Sequence, residues 1–467
     1  MRIAVFGAGY IGLVTAACFA ELGHSVAVCD IRAEAVAALR AGRTPLYEPG
    51  LDTLLTHNAD RLTFTVDAGE AVRGAEVAYI CVDTPPTAAG DADLSRVFAV
   101  VHSLRDATHL TAVVVKSTVP VGTGARVRAA LDRAGLRHVG YASNPEFTAE
   151  GTAVSDFLRP DRIVIGAWDE QSASCVTDLH KDIPSTVITL DVESAEMVKL
   201  TANAFLATKI SFANEMAAIC DLVGADVVDV TRAVGLDPRI GPHFLRAGIG
   251  WGGSCFPKDT QALKQMARNA GHSPHLLDAV IEVNELQHRR PIIRLRAALG
   301  GLDGARIALL GTTFKPGTDD MRQAPSTVLA ARLLAEGAEV RCWDPLAKLP
   351  DSTPWRHVSR FPSPAQALAQ ADAALVVTEW PELLEVDWPA VRPTMRTPVI
   401  LDGRNLLDPS GMKDAGYRYM GVGRGLLTGR PPVPEQPATR YDASEHDASE
   451  HDASEHDASE GEPFAHA

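Results

Sequence analysis

No two of the seven cysteines in this 467-residue sequence form a CxxC pair or a metal-ligand spacing; they stand apart at positions 18, 29, 81, 175, 220, 255 and 342. An odd, scattered set in so long a chain argues against a disulfide framework and suits reduced thiols, most of them small buried hydrophobes. No metal site is expected. No uninterrupted apolar run is long enough to span a bilayer. The apolar start is broken by a glycine-rich turn at the seventh residue, so no signal peptide is expected and the expected location is cytoplasmic. A surplus of positive charge is also missing. The net charge is -15, but residues 441–467 hold nine Asp or Glu and no Lys or Arg, which leaves -6 for the rest. That balance favours neither nucleic acid nor an anionic membrane as a partner.

What is present is an ordinary globular composition, 46% hydrophobic and 22% charged. The length is too great for one hydrophobic core, so two or three domains are expected. The first thirty residues read as a βαβ unit: strand Arg2–Phe6, turn Gly7–Gly12, helix Leu13–Leu22, and strand Ser25–Cys29 closed by Asp30. Further strands are expected at Val77–Val82, Ala112–Lys116 and, last in this region, Arg162–Gly166. From Val192 the pattern turns helical. Glu193–Val223 has neither Pro nor Gly and suits one long helix, and Val227–Val234, Thr260–Ala270 and Leu276–Leu299 follow. Alternation returns with strands at Arg306–Gly311, Glu339–Trp343 and Ile400–Asp402 and a helix at Thr327–Glu336. The expected fold is α/β: two Rossmann-like domains with parallel sheets, joined by a central helical domain with a long helix. The boundaries are 1–191, 192–300, 301–430, and a tail at 431–467. That tail is Pro-rich and then repeats DASEH from Asp442; with no apolar face to bury, it is expected to be disordered.

Gly7-Ala8-Gly9-Tyr10-Ile11-Gly12 fits G-x-G-x-x-G. Alone the pattern is weak. Here it follows a strand, opens a helix, and is answered by an acid at the end of the next strand, which is the context of a dinucleotide site. Gly7 permits the turn, Gly9 lets backbone approach a pyrophosphate, and Gly12 lets helix and strand pack closely. The phosphates then meet free N–H groups at a helix N-terminus. Asp30 would accept from the adenosine ribose and repel a 2′-phosphate, so the expected cofactor is NAD rather than NADP. Thr84 and Thr118 end later strands, where ligands of open parallel sheets bind.

Gly252-Gly253-Ser254-Cys255-Phe256-Pro257-Lys258-Asp259 is the most informative segment. A Gly-Gly turn delivers a thiol, with a cation and a carboxylate within four residues. Lys258 could favour a thiolate, and Asp259 could position water or take a proton. Composition alone would leave Cys255 a buried structural thiol; its company decides otherwise.

That segment resembles the catalytic loop of the UDP-glucose/GDP-mannose dehydrogenase family. So do Asn144-Pro145-Glu146-Phe147 with Glu150-Gly151, Lys199 with Asn203, and Phe314-Lys315-Pro316 through Arg322. The matches run in order from Met1 to about Gly425. Thr378-Glu379-Trp380 and Asp402-Gly403-Arg404-Asn405 look like the UDP-glucose branch of that family. The resemblance implies oxidation of UDP-glucose at C6 to UDP-glucuronate with two NAD, through a thiohemiacetal and a thioester on Cys255. Lys199 and Asn203, four apart on a helix, would face one sugar and hold negative charge at the reacting carbon. Glu146 and Asp259 are both candidates for acid–base work through water. Glu146, Phe147, Thr148, Ala149, Glu150, Phe244, Leu245, Arg246, Ala247, Gly248 and Gly252 would line the sugar nucleotide. Lys315 and Arg404 would meet its phosphate or uracil side from the second α/β domain. Tyr10, Ile11, Glu150, Lys258 and Arg322 would contact NAD, and Arg239 would reach substrate in a neighbouring subunit of a homodimer or higher homo-oligomer. The family often has a basic residue five positions after the ribose-binding acid; here Ala35 stands there, and Arg32 is the candidate replacement. The rival substrates are GDP-mannose and UDP-N-acetylmannosamine. A non-catalytic NAD-binding protein would need a lost catalytic residue, and none is missing. A one-step alcohol dehydrogenase would have no use for the cysteine loop.

Overall fold

The computed structural model describes residues 1–105 and 107–425; the acidic repeat tail lies outside them. Its strands form where short apolar runs alternate with helices. β1 (Arg2–Phe6), β2 (Ser25–Cys29), β3 (Leu62–Thr65), β4 (Val77–Ile80), β5 (Ala112–Val115), β6 (Gly140–Ser143), β7 (Arg162–Ala167) and β8 (Thr186–Leu190) make one sheet, in the order β3-β2-β1-β4-β5-β6-β7-β8. Ile3, Val5, Val77, Tyr79, Ala112 and Val114 face one buried cluster, and Ala4, Phe6, Ala78, Ile80, Val113 and Val115 face another. Side chains alternate across a strand, so covering both faces turns an alternating pattern into unbroken apolar runs. β9 (Arg306–Leu310), β10 (Glu339–Trp343), β11 (Ser359–Arg360), β12 (Ala373–Val376), β13 (Val399–Asp402) and β14 (Arg418–Gly421) make a second sheet, ordered β11-β10-β9-β12-β13-β14. Its order repeats that of β1–β6, and all its pairs are parallel.

Between the sheets runs the helix Val192–Val223, capped by the Asp191 side chain on Ser194 N and ended by Gly224 in the left-handed conformation. Ala195, Lys199, Asn203, Ala207, Ser211, Asn214 and Ala217 recur at helical spacing on its buried face. That face packs on β7 and on the helices Phe256–Asn269 and His275–Gln287. The α/β architecture with two Rossmann-like sheets and a helical middle is therefore the expected one.

Several details differ from the sequence reading. The first sheet is not wholly parallel, because β7 runs antiparallel to β6. β7 is not its last strand, because β8 follows on an exposed edge. The glycine turn is shorter than expected: the helix starts at Tyr10, and Gly12 sits in its first turn. The expected helix Leu276–Leu299 is two helices, His275–Gln287 and Arg290–Leu299, the second with Pro291 in its first turn, where a missing N–H costs nothing. The helix expected from Thr260 begins at Phe256. Among the described residues, no helix is long and apolar enough to cross a membrane, and no three His, Cys, Asp or Glu cluster as metal ligands.

Candidate active site

At the first sheet the strand order reverses between β1 and β4, which opens a crevice at their C-terminal ends. Gly7 lies there at φ +106°, where a Cβ would come within 2.6 Å of the Cys81 carbonyl oxygen. A Cβ on Gly12 would fall 1.8 Å from the Gly7 oxygen, so only glycine lets helix and turn meet. Gly9 faces open space and starts the helix Tyr10–Glu21 without a side-chain cap, leaving first-turn N–H groups free for an anion. These residues fit a dinucleotide pyrophosphate. Asp30 accepts from Ala8 N at 2.7 Å and from Arg32 Nε at 2.9 Å. Burial opposes its ionisation, but those hydrogen bonds outweigh burial and hold the carboxyl below the usual range. Arg32 is itself mostly exposed, so it can leave Asp30 to another donor. Thr84 donates to the Thr118 carbonyl at 2.8 Å, tying together the loops after β4 and β5. Ile11 packs against the core beneath the turn. The Tyr10 hydroxyl leaves the turn for the second α/β unit, donating to Asp319 Oδ1 at 2.8 Å.

The reactive cluster assembles from three places in the chain. The loop after β6 presents Glu146, the long helix presents Lys199 and Asn203, and the start of helix Phe256–Asn269 presents Cys255, Lys258 and Asp259. Lys199 Nζ meets Glu146 Oε1 at 2.7 Å with both side chains buried. Glu146 Oε2 also accepts from Thr148 N and Oγ1, each at 2.7 Å. Burial pushes Glu146 up, but Lys199 and Thr148 overcome it and hold the carboxyl below its ordinary value. Lys199 likewise loses to burial and gains from Glu146, Cys255 and Asp259, ending above the usual lysine range. Asn203 Nδ2 donates to Asp259 Oδ2 at 2.6 Å, and Lys258 pairs with the other oxygen of Asp259 rather than with the thiol.

Cys255 is the N-cap of that helix and the one exposed cysteine of seven. Its surface is open to solvent, yet protein atoms crowd the sulfur closely enough that desolvation pushes the thiol up. Glu146 adds to that shift and Lys199 opposes it. The thiol thus sits in a cleft rather than on a convex surface. The helix N-terminus favours its anion, by about 0.3–1 kcal/mol in general.

Around the cluster the expected lining residues divide into those brought together and those left apart. Phe147 packs under the Arg162 guanidinium at 4.0 Å and lies 5.6 Å from Lys199 Nζ. Ala149 is exposed, and its N–H donates to Asp156. Glu150 accepts from Ser254 Oγ at 3.4 Å, Thr318 Oγ1 at 3.2 Å and Arg322 Nη2 at 3.2 Å, so it joins the cysteine loop to the second α/β unit. Burial and then Asp320 push its carboxyl up to about 8. Lys315, held below the usual lysine range by burial, faces Glu150, Glu48 and Cys255. Gly252 abuts the Gln323 carbonyl, 2.2 Å from where a Cβ would stand.

In the segment from Phe244 to Gly248, Leu245 and Ala247 are buried, whereas Phe244 and Arg246 are exposed. Phe244 holds φ at +62°, a strained value for a bulky residue. Gly248 N donates to Asn214 Oδ1 at 2.8 Å. Arg404 donates to the Val377 carbonyl at 2.7 Å and lies 3.2 Å from Glu379, so the two segments around residues 379 and 404 meet. Arg239 is not at the cluster within this chain; it is exposed and pairs with Asp237.

The sequence gives no role to Asn144, Lys116 or the Thr318–Asp320 stretch, yet Lys116 donates to Asn144 Oδ1 and Thr318 to Glu150 beside the cluster. For Lys116 there was a signal, a charge closing an otherwise apolar buried strand. For Asp319 there was none, since its partner Tyr10 lies far away in sequence.

Residues 1–184 match the NAD binding domain of the UDP-glucose/GDP-mannose dehydrogenase family, residues 193–286 its central domain and residues 308–409 its UDP binding domain. Among curated relatives, UDP-glucose 6-dehydrogenase TuaD of Bacillus subtilis is 44% identical over 438 residues, covering 92% of this chain and 95% of that protein. UDP-glucose 6-dehydrogenase of Pseudomonas aeruginosa is 45% identical over 444 residues, covering 91% and 98%. Among solved structures, a UDP-glucose dehydrogenase from Pyrobaculum islandicum superposes with a TM-score of 0.83 at 39% identity, covering 90% of this chain and 97% of that one. A UDP-D-ManNAc dehydrogenase from Pyrococcus horikoshii gives 0.82 at 30% identity, covering 91% and 99%.

Proposed function

The chain belongs to the UDP-glucose/GDP-mannose dehydrogenase family and is an NAD-dependent oxidoreductase, and from that premise we propose that it oxidises UDP-glucose at C6 to UDP-glucuronate through a thioester on Cys255. One observation carries this reading: an exposed thiol at a helix N-terminus sits among two buried polar pairs, Glu146 with Lys199 and Asn203 with Asp259. NAD, when bound, accepts one hydride, so a four-electron oxidation needs two of them in turn.

The chain must keep the sugar between those two transfers. The C6 alcohol loses a proton and a hydride and becomes an aldehyde. Cys255 Sγ, as thiolate, then adds to C6 and forms the C–S bond. The oxygen left on C6 carries negative charge, and Lys199 and Asn203 would donate to it. Protonation gives a thiohemiacetal, whose loss of a second hydride and of the hydroxyl proton leaves a thioester. Water adds to the thioester carbon, the C–S bond breaks, and the thiolate leaves the acid. Glu146 or Asp259 takes the proton from that water. One alcohol, one water and two NAD thus give one carboxylate, two NADH and three protons.

The names of the relatives and the meeting of Arg404 with Glu379 support UDP-glucose as the sugar nucleotide. Lys315 and Arg404 would take its phosphate or uracil side. We also read the protein as a homodimer. Phe205, Phe212 and Ile219 recur every seven residues as an exposed apolar stripe on the long helix, suited to a second copy. Arg239, unengaged with its own site, would then serve the partner's. The chemistry is tested by counting NADH per sugar oxidised, with UDP-N-acetylmannosamine and GDP-mannose as control substrates. Two NADH per UDP-glucose, and none of the acid from Cys255→Ala, are expected. One NADH per sugar, or full acid production by the variant, would sink the thioester route.

A further inference from the structure

Glu48 lies between the helices Ala33–Arg40 and Leu51–His57 of the first α/β unit, far in sequence from the reactive cluster, yet its side chain is fastened to the turn that follows Glu146. Its Oε2 accepts from Gly151 N at 2.7 Å and its Oε1 from Ala153 N at 2.8 Å, and the residue is 5% exposed. Those N–H groups lie at the start of the helix Ala153–Leu158, whose N-cap Thr152 makes no side-chain cap. A buried N–H needs an acceptor, and here both oxygens of one carboxyl supply it. Burial raises the Glu48 carboxyl, and the two N–H groups oppose that. Glu48 is itself held. Pro49 confines it to extended backbone, and the fully buried Leu51 starts the next helix.

The turn that Glu48 holds is a crossing point. Next to Gly151, Glu150 accepts from Ser254 Oγ beside Cys255 and from Thr318 Oγ1 of the second α/β unit. Gly151, at φ +88°, lies so close to that unit that a Cβ would come within 2.8 Å of the Gly317 carbonyl oxygen. Gly317 stands two residues after Lys315, one of the two residues expected at the phosphate or uracil side of the substrate. Within the turn, Thr152 N donates to the Ala149 carbonyl and Ala149 N to Asp156, local bonds that set its shape. The Glu48 bonds span 103 and 105 residues, so they set where that shape sits.

We propose that Glu48 is a positioning residue for the sugar nucleotide: it seats the Ala149–Ala153 turn against the cysteine loop and the second α/β unit, and so shapes the pocket that the substrate enters. The role needs two acceptor oxygens at that reach from the chain, and no proton or electron passes through Glu48. It rests on the reading above, in which Ala149, Glu150 and their neighbours line UDP-glucose.

The test compares wild type, Glu48→Ala and Glu48→Gln by KM for UDP-glucose and kcat at saturating NAD, by Tm, and by calorimetric Kd of UDP-glucose for the NAD-free proteins. Glu48→Ala leaves both N–H groups without an acceptor, whereas Glu48→Gln keeps the length and one acceptor oxygen. A displaced turn weakens ground state and transition state alike. KM and Kd should therefore rise together, about tenfold in Glu48→Ala and about threefold in Glu48→Gln, with kcat within about twofold of wild type. A Glu48 that serves folding alone would lower Tm and leave KM and Kd unmoved, which overturns the proposal; so does a loss confined to kcat. A Glu48→Gln protein as impaired as Glu48→Ala also overturns it, because the remaining acceptor would then hold nothing. Should Glu48→Ala not fold, Glu48→Gln is judged alone by its own expected rise, and failure of both to fold overturns the proposal by making Glu48 a requirement of folding. An unchanged Kd in variants of a protein that binds UDP-glucose refutes Glu48 alone. No binding of UDP-glucose to wild type refutes the substrate reading, and the positioning role falls with it.

Discussion

Replacing Lys199 by Met should destabilise the protein in a way that depends on pH, because it strands a carboxylate. Glu146 and Lys199 are each about 5% exposed at the side chain and meet at 2.7 Å. Removing one member of a buried pair costs about 3–5 kcal/mol in general. Glu146 keeps its two Thr148 hydrogen bonds, so the lower end, about 3 kcal/mol, is expected near pH 8. The sign then follows from which proton state the fold prefers. In the wild type the Glu146 carboxyl is depressed, so its contribution is present at neutral pH and lost as pH falls through its folded value. In the variant burial is left without its main opponent, and the carboxyl rises above its unfolded value. The folded variant then binds a proton that the unfolded chain does not, and it recovers about 1.4 kcal/mol for each pH unit below that new value. The Tm gap between wild type and Lys199→Met should therefore be wide at pH 8 and narrower at pH 5.5. Adding Glu146→Gln removes the stranded charge and should restore most of the loss at pH 8. A gap that is the same at both pH values, or a double variant no more stable than the single one, would refute the reasoning.

Two further outcomes follow from the same geometry. Glu150, pushed up to about 8 by burial and Asp320, gives stability that is full below its unfolded value near 4 and drains away as pH rises through 8. Glu150→Gln should remove that drain, so its Tm relative to wild type should climb between pH 5 and 8 and then level off; a constant difference would count against it. For the dimer, Phe212→Glu places a charge in the exposed apolar stripe of the long helix and should yield monomers in sedimentation with about tenfold or greater loss of activity, on the scale of one lost central contact. A wild type that already sediments as a monomer at micromolar concentration would end that reading.

The parts of the fold that could be read in advance were those whose pattern is local. Arg2–Phe6, Ser25–Cys29 and Glu339–Trp343 stand where their apolar runs stand, and the long helix runs from Val192 to Val223, one residue longer than its Pro- and Gly-free stretch suggested. β6, with the sequence GYAS, and the edge strand β8, with most of its residues exposed, carry no apolar run; their pairing partners make them strands. The antiparallel turn of β7 is likewise a matter of which neighbour it finds. The cysteine loop was legible as chemistry but not as geometry. That Cys255 caps a helix, and that Lys258 turns to Asp259, depends on a helix starting at Phe256 rather than four residues later. Contacts such as Tyr10 with Asp319, or Glu150 with Arg322, join residues that only the finished fold brings together.

The two α/β units share one strand order but differ at the turn that follows the first strand. Each has a glycine with positive φ at its first turn, Gly7 and Gly311, and an acid closing its second strand, Asp30 and Asp344. Asp30 is held by two backbone N–H groups, of Ala8 and Arg32, and by the largely exposed Arg32 side chain, which leaves room for a ribose. Asp344 is already spent: Thr312 N and Thr313 N, the Trp380 indole at 3.1 Å, and Leu346 N and Ala347 N all donate to it in the buried interior. The helix after Gly7 begins three residues on, at Tyr10, whereas the helix after Gly311 waits until Pro325. The intervening segment carries Lys315, Asp319, Asp320 and Arg322, and it reaches back to Tyr10 and Glu150 of the first unit. Where the first unit has a helix start, the second has a loop that borders the first unit's crevice. That loop surrounds Glu150 with Thr318, Asp320 and Arg322, so burial and then Asp320 push its carboxyl up, and Phe314 in it closes on Gly253 beside the thiol.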